Sequence, residues 1–432
     1  MISKWETLPN EIFGNIFDYL SWDEILISLW SLNHRINSLI CSIFSINKNG
    51  IIFSRPGLSH KSVSKILLPL IIKSSLLSSS IKYIHLNGND SNSYDLIHQY
   101  FYYNNDKESF CFPNLESLNI TQCLLSKSLI DKLSLLIQYQ LTELKLIIDE
   151  DAFQSFTYEE DYSSISCKRE NVMVMLEKFL CKIFSGQSQL ISLHLDISEA
   201  SSSIHQCLKS RSSTFSSNNI VDLFHSNCLT LRYLHIHSQF PCFFEHLIEH
   251  VPNLEQLTIC FQHLRINFAE SYSNIQKLVT SNASWSNKVP KLKCFIFKSH
   301  IFNDLEFMYL KWLLNNVNHI RKLEIYLKSG EIFRADQSIW KSVIDANFVR
   351  QYCLPDKIVN LVDFDFYICS KRQLAVVDIE NVVTSFKINS FFIKHQWTNV
   401  SCFYDEDESC QYIFSSTKYK FRTFHTLWQD II

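Results

Sequence analysis

The stretch VPNLEQLTIC, residues 251–260, decides the fold because its apolar residues follow a strand-like order. Leu254 is followed by two other residues and then by Leu257, and one further residue separates Leu257 from Ile259. The final step of two places Leu257 and Ile259 on one face of a β-strand and Thr258 on the other. The stretch therefore predicts a strand with one apolar and one polar face.

The same order of apolar residues recurs along most of the chain, which indicates internal repeats. Its nine copies are IKYIHL at 81, LESLNI at 115, LTELKL at 141, LISLHL at 190, LRYLHI at 231, LEQLTI at 254, LKCFIF at 292, IRKLEI at 320 and LVDFDF at 361. The intervals between them range from 23 to 49 residues. Such irregular intervals leave room for insertions, which we expect at residues 159–164 and 198–219.

Helical patterns occupy several of the intervals, for example residues 124–139, 172–184 and 243–252. A single strand with a single helix cannot bury its apolar face, so neighbouring units must stack and share a core. The repeat resembles the leucine-rich-repeat family, and that resemblance implies a curved α/β solenoid over residues 79–369. Residues 370–432 would then form a C-terminal cap or degenerate repeats.

The polar positions of the predicted strands would lie together on the face opposite the core. In a leucine-rich-repeat solenoid this is the concave face, so the resemblance implies a site for a protein substrate there. The alternative is that these side chains are simply solvated strand positions. The residues that we select for substrate binding are Tyr83, His85, Asn119, Lys145, His194, Tyr233, His235, Lys322 and Glu324.

The first fifty residues predict three short helices. Pro9 suits the first turn of a helix that runs to about Leu20. Ser21 and Glu24 have the spacing of a capping box that starts a second helix. Apolar residues at steps of three and four from Leu32 predict a third helix. So small a unit buries little of its own surface, so we expect part of its apolar surface to face a partner.

The order Leu8-Pro9-x-Glu11, Ile16-Phe17-x-Tyr19-Leu20 and Asn33-His34-Arg35-Ile36 resembles an F-box, over about a tenth of the chain. The resemblance implies a three-helix domain at residues 1–47, followed by a helical linker at 48–78. It also implies binding to a Skp-type adaptor and, through that adaptor, to a cullin. The matching positions that would supply the adaptor contact are Leu8, Pro9, Ile12, Ile16, Phe17 and Leu20.

The composition argues against several other classes of protein. Forty basic and forty-three acidic residues give a net charge of -3, which favours neither nucleic acid nor an anionic membrane as a partner. Only six glycines are present, and no glycine-rich phosphate loop or nucleophile elbow occurs in the sequence. We therefore expect a protein that is not an enzyme and needs no cofactor.

The cysteines indicate a reducing compartment. Fourteen are present, but no two lie within six residues of each other, so the sequence contains no paired metal knuckle and no clustered disulfide framework. The first residues lack the apolar core of a signal peptide, and the longest apolar runs are too short to span a bilayer. We therefore expect a cytoplasmic or nuclear protein without a membrane partner.

One short motif is typical of an enzyme class. His246, Glu249 and His250 form an HxxEH string, the spacing of inverted zinc peptidases. Such a string also arises by chance among sixteen histidines, and no third ligand can be identified. We therefore predict that these histidines face solvent and that the protein has no metal site.

These observations favour the substrate-recognition subunit of an SCF-type cullin-RING ubiquitin ligase. The N-terminal helices would bind the adaptor, and the repeats would bind a protein substrate. The alternative is a leucine-rich-repeat scaffold without ligase engagement. An enzyme is the third and least supported possibility, because the chain lacks the loops that such chemistry needs.

Overall fold

The computed structural model describes most of the chain, with gaps. The described residues are 8–46, 50–53, 58–87, 111–123, 127–148, 175–176, 178–197, 227–238, 244, 247–261, 285–329, 338–371, 376–407 and 409–415. The predicted insertions at 159–164 and 198–219 lie outside these ranges. The chain divides into a first unit, Met1–Leu195 with Glu199–Cys207, and a second unit, Asp196–Ser198 with Leu208–Ile432.

The N-terminal helices of the first unit are α1 (Asn10–Phe17), α2 (Trp22–Leu29) and α3 (His34–Ile46). The capping box of α2 is confirmed, because the Ser21 amide and hydroxyl donate to the Glu24 carboxylate. Helix α1 ends earlier than predicted, since the residues after Phe17 form single turns in which Leu20 N–H donates to the Phe17 carbonyl.

The segment predicted as a helical linker, residues 48–78, also contains a strand. Strand β1 (Ile51–Ile52) precedes helix α4 (His60–Ser62), a π-helical turn (Val63–Leu67), α5 (Leu68–Lys73) and α6 (Ser75–Ser80). Gly50 enters β1 with φ +57°, and a Cβ there would lie 2.2 Å from the Tyr83 carbonyl oxygen. Only glycine fits this close approach.

The first unit continues with β2 (Tyr83–Asn87), β3 (Ser117–Cys123), helix α7 (Lys127–Tyr139), β4 (Glu143–Ile148) and β5 (Ser192–Asp196). The strands follow one another in chain order from β1 to β5. Strands β1 to β4 pair in parallel. Helix α7 confirms the helical pattern predicted at 124–139.

The second unit contains β6 (Tyr233–Ser238), a 3₁₀ turn (Ile248–His250), β7 (Gln256–Phe261), β8 (Cys294–Ile301), α8 (Asp304–Asn316), β9 (Lys322–Ser329), α9 (Ala346–Tyr352) and β10 (Asp363–Ser370). Strands β6 to β10 are parallel and in chain order. After α10 (Val376–Ile388) and α11 (Ser390–His395), the antiparallel strands β11 (Ser401–Asp405) and β12 (Cys410–Phe414) add to β10 through β12.

The repeat pattern determines both the strands and the core. In all nine copies a strand begins at the third residue of the pattern, so the predicted strands and the mixed α/β class are confirmed. The apolar residues of every copy are buried, as Leu254, Leu257 and Ile259 illustrate. Burying one such side chain stabilises a fold by about 1.5–3 kcal/mol, so nine copies supply a large apolar core.

Candidate functional site

The six predicted adaptor-contact residues separate into inward and outward positions. Phe17 is only 4% exposed and packs beside Phe13, with ring centroids 6.1 Å apart. Pro9 and Ile12 are exposed, and the remaining three are half-buried: Leu8, Ile16 and Leu20. The structure therefore leaves one stripe of α1 facing outward and uses the neighbouring stripe in its own core.

Arg35 of α3 holds the start of α1 in place. Its guanidinium donates to the Leu8 carbonyl at 2.5 Å and to the Asn10 side chain at 2.6 Å. It also lies 5.6 Å from the centre of the Phe13 ring. These contacts place the Arg35 guanidinium against the side of α1 that carries Phe13, and the Phe17 ring packs beside Phe13.

Trp22 connects the N-terminal helices to the rest of the first unit. Its indole N–H donates to the Ile52 carbonyl at 2.9 Å, and its ring packs edge-on against Phe53. The helical trio therefore covers part of its apolar surface with later residues of the same chain. Other apolar side chains remain exposed, among them Tyr19 at 91% and, in or after α2, Ile27 and Leu32.

The predicted polar face of the first unit is present, and its residues align across the strands. His85, Asn119 and Lys145 are register partners on β2, β3 and β4. All three are half-buried, as are Tyr83 and His194. Burial and the nearby Lys145 charge lower the pKa of His85, so this imidazole is neutral at pH 7. The His85 Nε2 and Asn119 Oδ1 atoms are buried and have no hydrogen-bond partner among the residues that the structure describes.

On β6 of the second unit the polar face becomes more buried along the strand. Tyr233, at the start of β6, is 47% exposed, whereas His237, near its end, is 3% exposed. His235 lies between them and is half-buried, with its Nε2 atom 3.6 Å from the Cys260 thiol. The face is therefore not a uniformly solvated ribbon, as the sequence alone would allow.

Lys322 and Glu324, both predicted for this face, are in direct contact. Lys322 Nζ lies 2.7 Å from Glu324 Oε1, and the Tyr326 hydroxyl donates to Glu324 Oε2 at 2.7 Å. Both carboxylate oxygens of Glu324 therefore have a partner on the same strand. Glu324 and Tyr326 are buried, while Lys322 is half-buried.

Sequence reasoning missed the row of residues two positions further along these strands. His237, Cys260, Lys298, Tyr326 and Tyr367 are successive register partners on β6 to β10. They fall just beyond the six-residue repeat pattern, so the pattern gave no reason to select them. All five are buried. The sequence does contain a signal for them. The alternation of inward and outward residues continues past the sixth residue of each copy and reaches these positions.

An aromatic cluster closes this face towards β12. Its members are Tyr326, Tyr367, Cys369, Cys410, Tyr412 and Phe414. Burial raises the pKa of the Tyr367 and Tyr412 hydroxyls, so both are neutral at pH 7. Phe403 of β11 stacks on Tyr412 with centroids 4.9 Å apart. The cluster makes one side of the polar face apolar.

The cysteines near this face are not activated nucleophiles. Burial raises the pKa of the Cys260 thiol to about 12, and the Cys353 thiol elsewhere in the unit shifts in the same way. A reactive cysteine needs a lowered pKa, because the thiolate is the nucleophile. The contact between His235 and Cys260 therefore gives no catalytic pair.

The HxxEH string lies only partly within the described residues, because His246 falls outside them. Glu249 and His250 belong to the 3₁₀ turn, and the Glu249 carboxylate accepts a hydrogen bond from Lys288 Nζ. Across the part of the chain that the structure describes, no group of three or more potential ligands is placed to hold a metal ion. Among those residues, no helix is long and apolar enough to cross a bilayer.

Comparison with known proteins adds no assignment to this geometry. No protein-family model matches the chain. No curated protein matches its sequence significantly. The functional conclusion therefore depends on the two surfaces themselves, the outward stripe of α1 and the polar strand face.

Proposed function

We propose that this protein is the substrate-recognition subunit of an SCF-type cullin-RING ubiquitin ligase. The N-terminal helices would act as an F-box that binds a Skp-type adaptor, and the strand face would bind a protein substrate. The observation that carries the proposal is the outward stripe of α1. Pro9, Ile12 and Ile16 follow one another at helical spacing, and each keeps exposed or half-buried apolar surface.

The second part of the proposal is a leucine-rich-repeat solenoid that presents the substrate site. The common strand start in all nine repeats supports it, because equal starts align equivalent side chains on neighbouring strands. The half-buried row of His85, Asn119 and Lys145 would then belong to the substrate-binding face. In this role the protein binds and positions, and another subunit of the ligase performs the transfer.

Adaptor binding is tested by coexpressing the full chain with a Skp-type adaptor and a cullin, followed by affinity purification. Ile12→Asp places a charge in the centre of the proposed contact, so we expect recovery of the adaptor to fall about tenfold or more. Ile191→Asp is the matched control, because Ile191 and Ile12 are both 42% exposed. The control variant should recover the adaptor like the unchanged chain.

The same experiment can overturn the proposal. If the unchanged chain recovers no adaptor, or if Ile12→Asp recovers as much as Ile191→Asp, α1 is not an F-box contact. The burial of Phe17 and the Trp22 contact with Ile52 favour the second candidate, a repeat scaffold without ligase engagement. In that case, purification of the chain should recover substrate proteins but neither adaptor nor cullin.

A further inference from the structure

Lys298 is a buried cation in the middle of the polar face of the second unit. Its side chain is 4% exposed, although it carries no partner of the kind that buried charges usually have. Its register partners are Cys260 on β7 and Tyr326 on β9. The ammonium nitrogen lies 4.8 Å from the centre of the Tyr326 ring, a cation–π contact.

Within the described residues, the Lys298 ammonium makes no hydrogen bond and no ion pair. The carboxylate on the adjacent strand, Glu324, is already engaged by Lys322 and by the Tyr326 hydroxyl. Burial lowers the pKa of Lys298 to about 8, and the Glu324 charge only partly opposes this shift. The lysine is therefore mostly protonated at pH 7, in a place where its charge is poorly compensated.

The neighbouring titratable groups do not supply the missing acceptor. On β7, the buried Cys260 thiol is protonated at neutral pH. At the next face position towards the strand ends, His300 of β8 and Lys328 of β9 are register partners. Neither side chain offers a carboxylate to the Lys298 ammonium.

A second buried carboxylate occurs on this side of the unit, but it has another partner. Asp196 Oδ2 lies 2.9 Å from the Nδ1 atom of His237, and both side chains are almost completely buried. Glu324 is thus matched with Lys322 and Tyr326, Asp196 is matched with His237, and Asp365 of β10 accepts a hydrogen bond from the Ser415 hydroxyl. Among the described residues of this face, Lys298 is a cation whose ammonium makes a ring contact but no hydrogen bond and no ion pair.

We propose that Lys298, with the ring of Tyr326 beside it, is the subsite for a side-chain carboxylate in an acidic segment of the bound polypeptide. Charge complementarity selects the anion, and the adjoining aromatic cluster lowers the local dielectric constant, which strengthens the ion pair. The inference rests on the proposed function only in naming that polypeptide as the ligase substrate. The site itself can be tested without an adaptor.

The first test measures protonation of Lys298 in the full chain. The rate of its reductive methylation, followed by mass spectrometry across pH, reports the fraction of neutral amine. A tetraglutamate peptide with blocked ends should raise the apparent pKa and slow methylation near pH 8 by about threefold, because a bound anion favours the ammonium. The matching tetraglutamine peptide should leave the rate unchanged.

A third arm uses inorganic phosphate at the same charge concentration. Protection by tetraglutamate that exceeds protection by phosphate supports a peptide site. Protection by phosphate alone would overturn the assignment to an acidic polypeptide segment. Equal rates with and without all three additives would overturn the anion site altogether.

The second test compares binding of fluorescently labelled tetraglutamate to variants of the chain. Lys298→Met removes the charge but keeps an unbranched apolar side chain, so we expect about tenfold weaker binding, the value of one charge-assisted hydrogen bond. Lys293→Met is the matched control, because Lys293 is exposed and precedes the same strand. Lys298→Arg, which keeps the positive charge, should restore most of the affinity.

Equal affinity of Lys298→Met and Lys293→Met for the labelled peptide would overturn the proposal. Circular dichroism of both variants shows whether each is folded, and Lys298→Arg provides a readout if Lys298→Met is not. No adaptor or cullin is present in these measurements. A negative result in these measurements would therefore overturn the Lys298 site and would say nothing about adaptor binding.

Discussion

His237 Nδ1 lies 2.9 Å from Asp196 Oδ2, and both side chains are almost fully buried in the second unit. The backbone beside this pair is also hydrogen-bonded, because Ile197 N–H donates to the His237 carbonyl at 2.9 Å. A buried polar pair of this kind stabilises a fold only while both members are present.

Asp196→Ala should therefore destabilise the second unit. It leaves the buried His237 imidazole without this acceptor, and we expect a loss of about 2–4 kcal/mol in the free energy of unfolding. Urea unfolding followed by circular dichroism measures the change. Asp363→Ala, at an exposed position of the same face, should cost less than about 0.5 kcal/mol. Equal losses in the two variants would contradict the structural role of the pair.

Leu257→Ala should destabilise the chain by about 2–5 kcal/mol, because it leaves a cavity beneath a central strand. Leu257 is completely buried. Leu229→Ala removes the same atoms from an exposed residue of the second unit, and we expect almost no change in the free energy of unfolding. Urea midpoints of both variants, compared at equal m-values, give the result. Similar urea midpoints for the two variants would mean that Leu257 does not contribute to the core.

The two described glycines of the N-terminal region should respond in opposite directions to alanine. Gly50→Ala introduces a Cβ 2.2 Å from the Tyr83 carbonyl at φ +57°, so we expect a loss greater than about 1 kcal/mol. Gly14→Ala lies in α1 with no atom within 4 Å of the added Cβ. It should raise the free energy of unfolding by about 0.5–1 kcal/mol. Thermal unfolding of both variants provides the comparison, and a stabilising Gly50→Ala would contradict the packing of β1 against β2.

Lys298 should make stability depend on pH in a defined direction. Its pKa is about 8 in the folded chain and 10.5 in the ordinary lysine, so between these values the unfolded state binds more protons. The contribution of Lys298 to the free energy of unfolding therefore rises with pH between about 8 and 10.5, by about 3 kcal/mol in total. At pH 7, where the charge is buried and poorly compensated, Lys298→Met should be the more stable protein.

The measurement is urea unfolding of the unchanged chain and of Lys298→Met from about pH 7 to pH 10. Thiols that ionise in the unfolded state near pH 8.5 contribute to both proteins alike, so their contribution cancels in the difference. The difference between them should shrink as pH rises. Lys293→Met should follow the unchanged chain at every pH. A constant difference for Lys298→Met would contradict the lowered pKa.

The sequence was sufficient for the strands because their signal is local. Leu254, Leu257 and Ile259 must share an apolar environment whatever lies nearby, and the other copies repeat that requirement. Strand β1 has only two residues, Ile51 and Ile52. It pairs with β2, which is distant in sequence, so no local pattern of apolar residues predicts it. The curvature that the leucine-rich-repeat resemblance implies depends on how neighbouring repeats stack. A pattern of six residues carries no information about that stacking.

The candidate sites could be predicted only in part, for a related reason. The repeat pattern identified Lys322 and Glu324, which lie inside a copy. Lys298 lies outside its copy, and its burial depends on Cys260 and Tyr326, which are far away in sequence. Likewise, Phe13 and Ile12 are both apolar, and their sequence neighbours do not show which of them points inward. In the fold Phe13 is buried against Arg35 of α3, and Ile12 is exposed.

The hydrogen bond from the Trp22 indole to the Ile52 carbonyl has a mechanical consequence. It joins α2 directly to β1, and β1 is paired with the strand that carries Tyr83 and His85. The Trp22–Phe53 ring contact and the packing of α3 against α6 attach the helical trio to the same part of the unit. Trp22→Phe removes only the hydrogen bond, so a molecule held by α1 would still lie at nearly the same place relative to Tyr83 and His85.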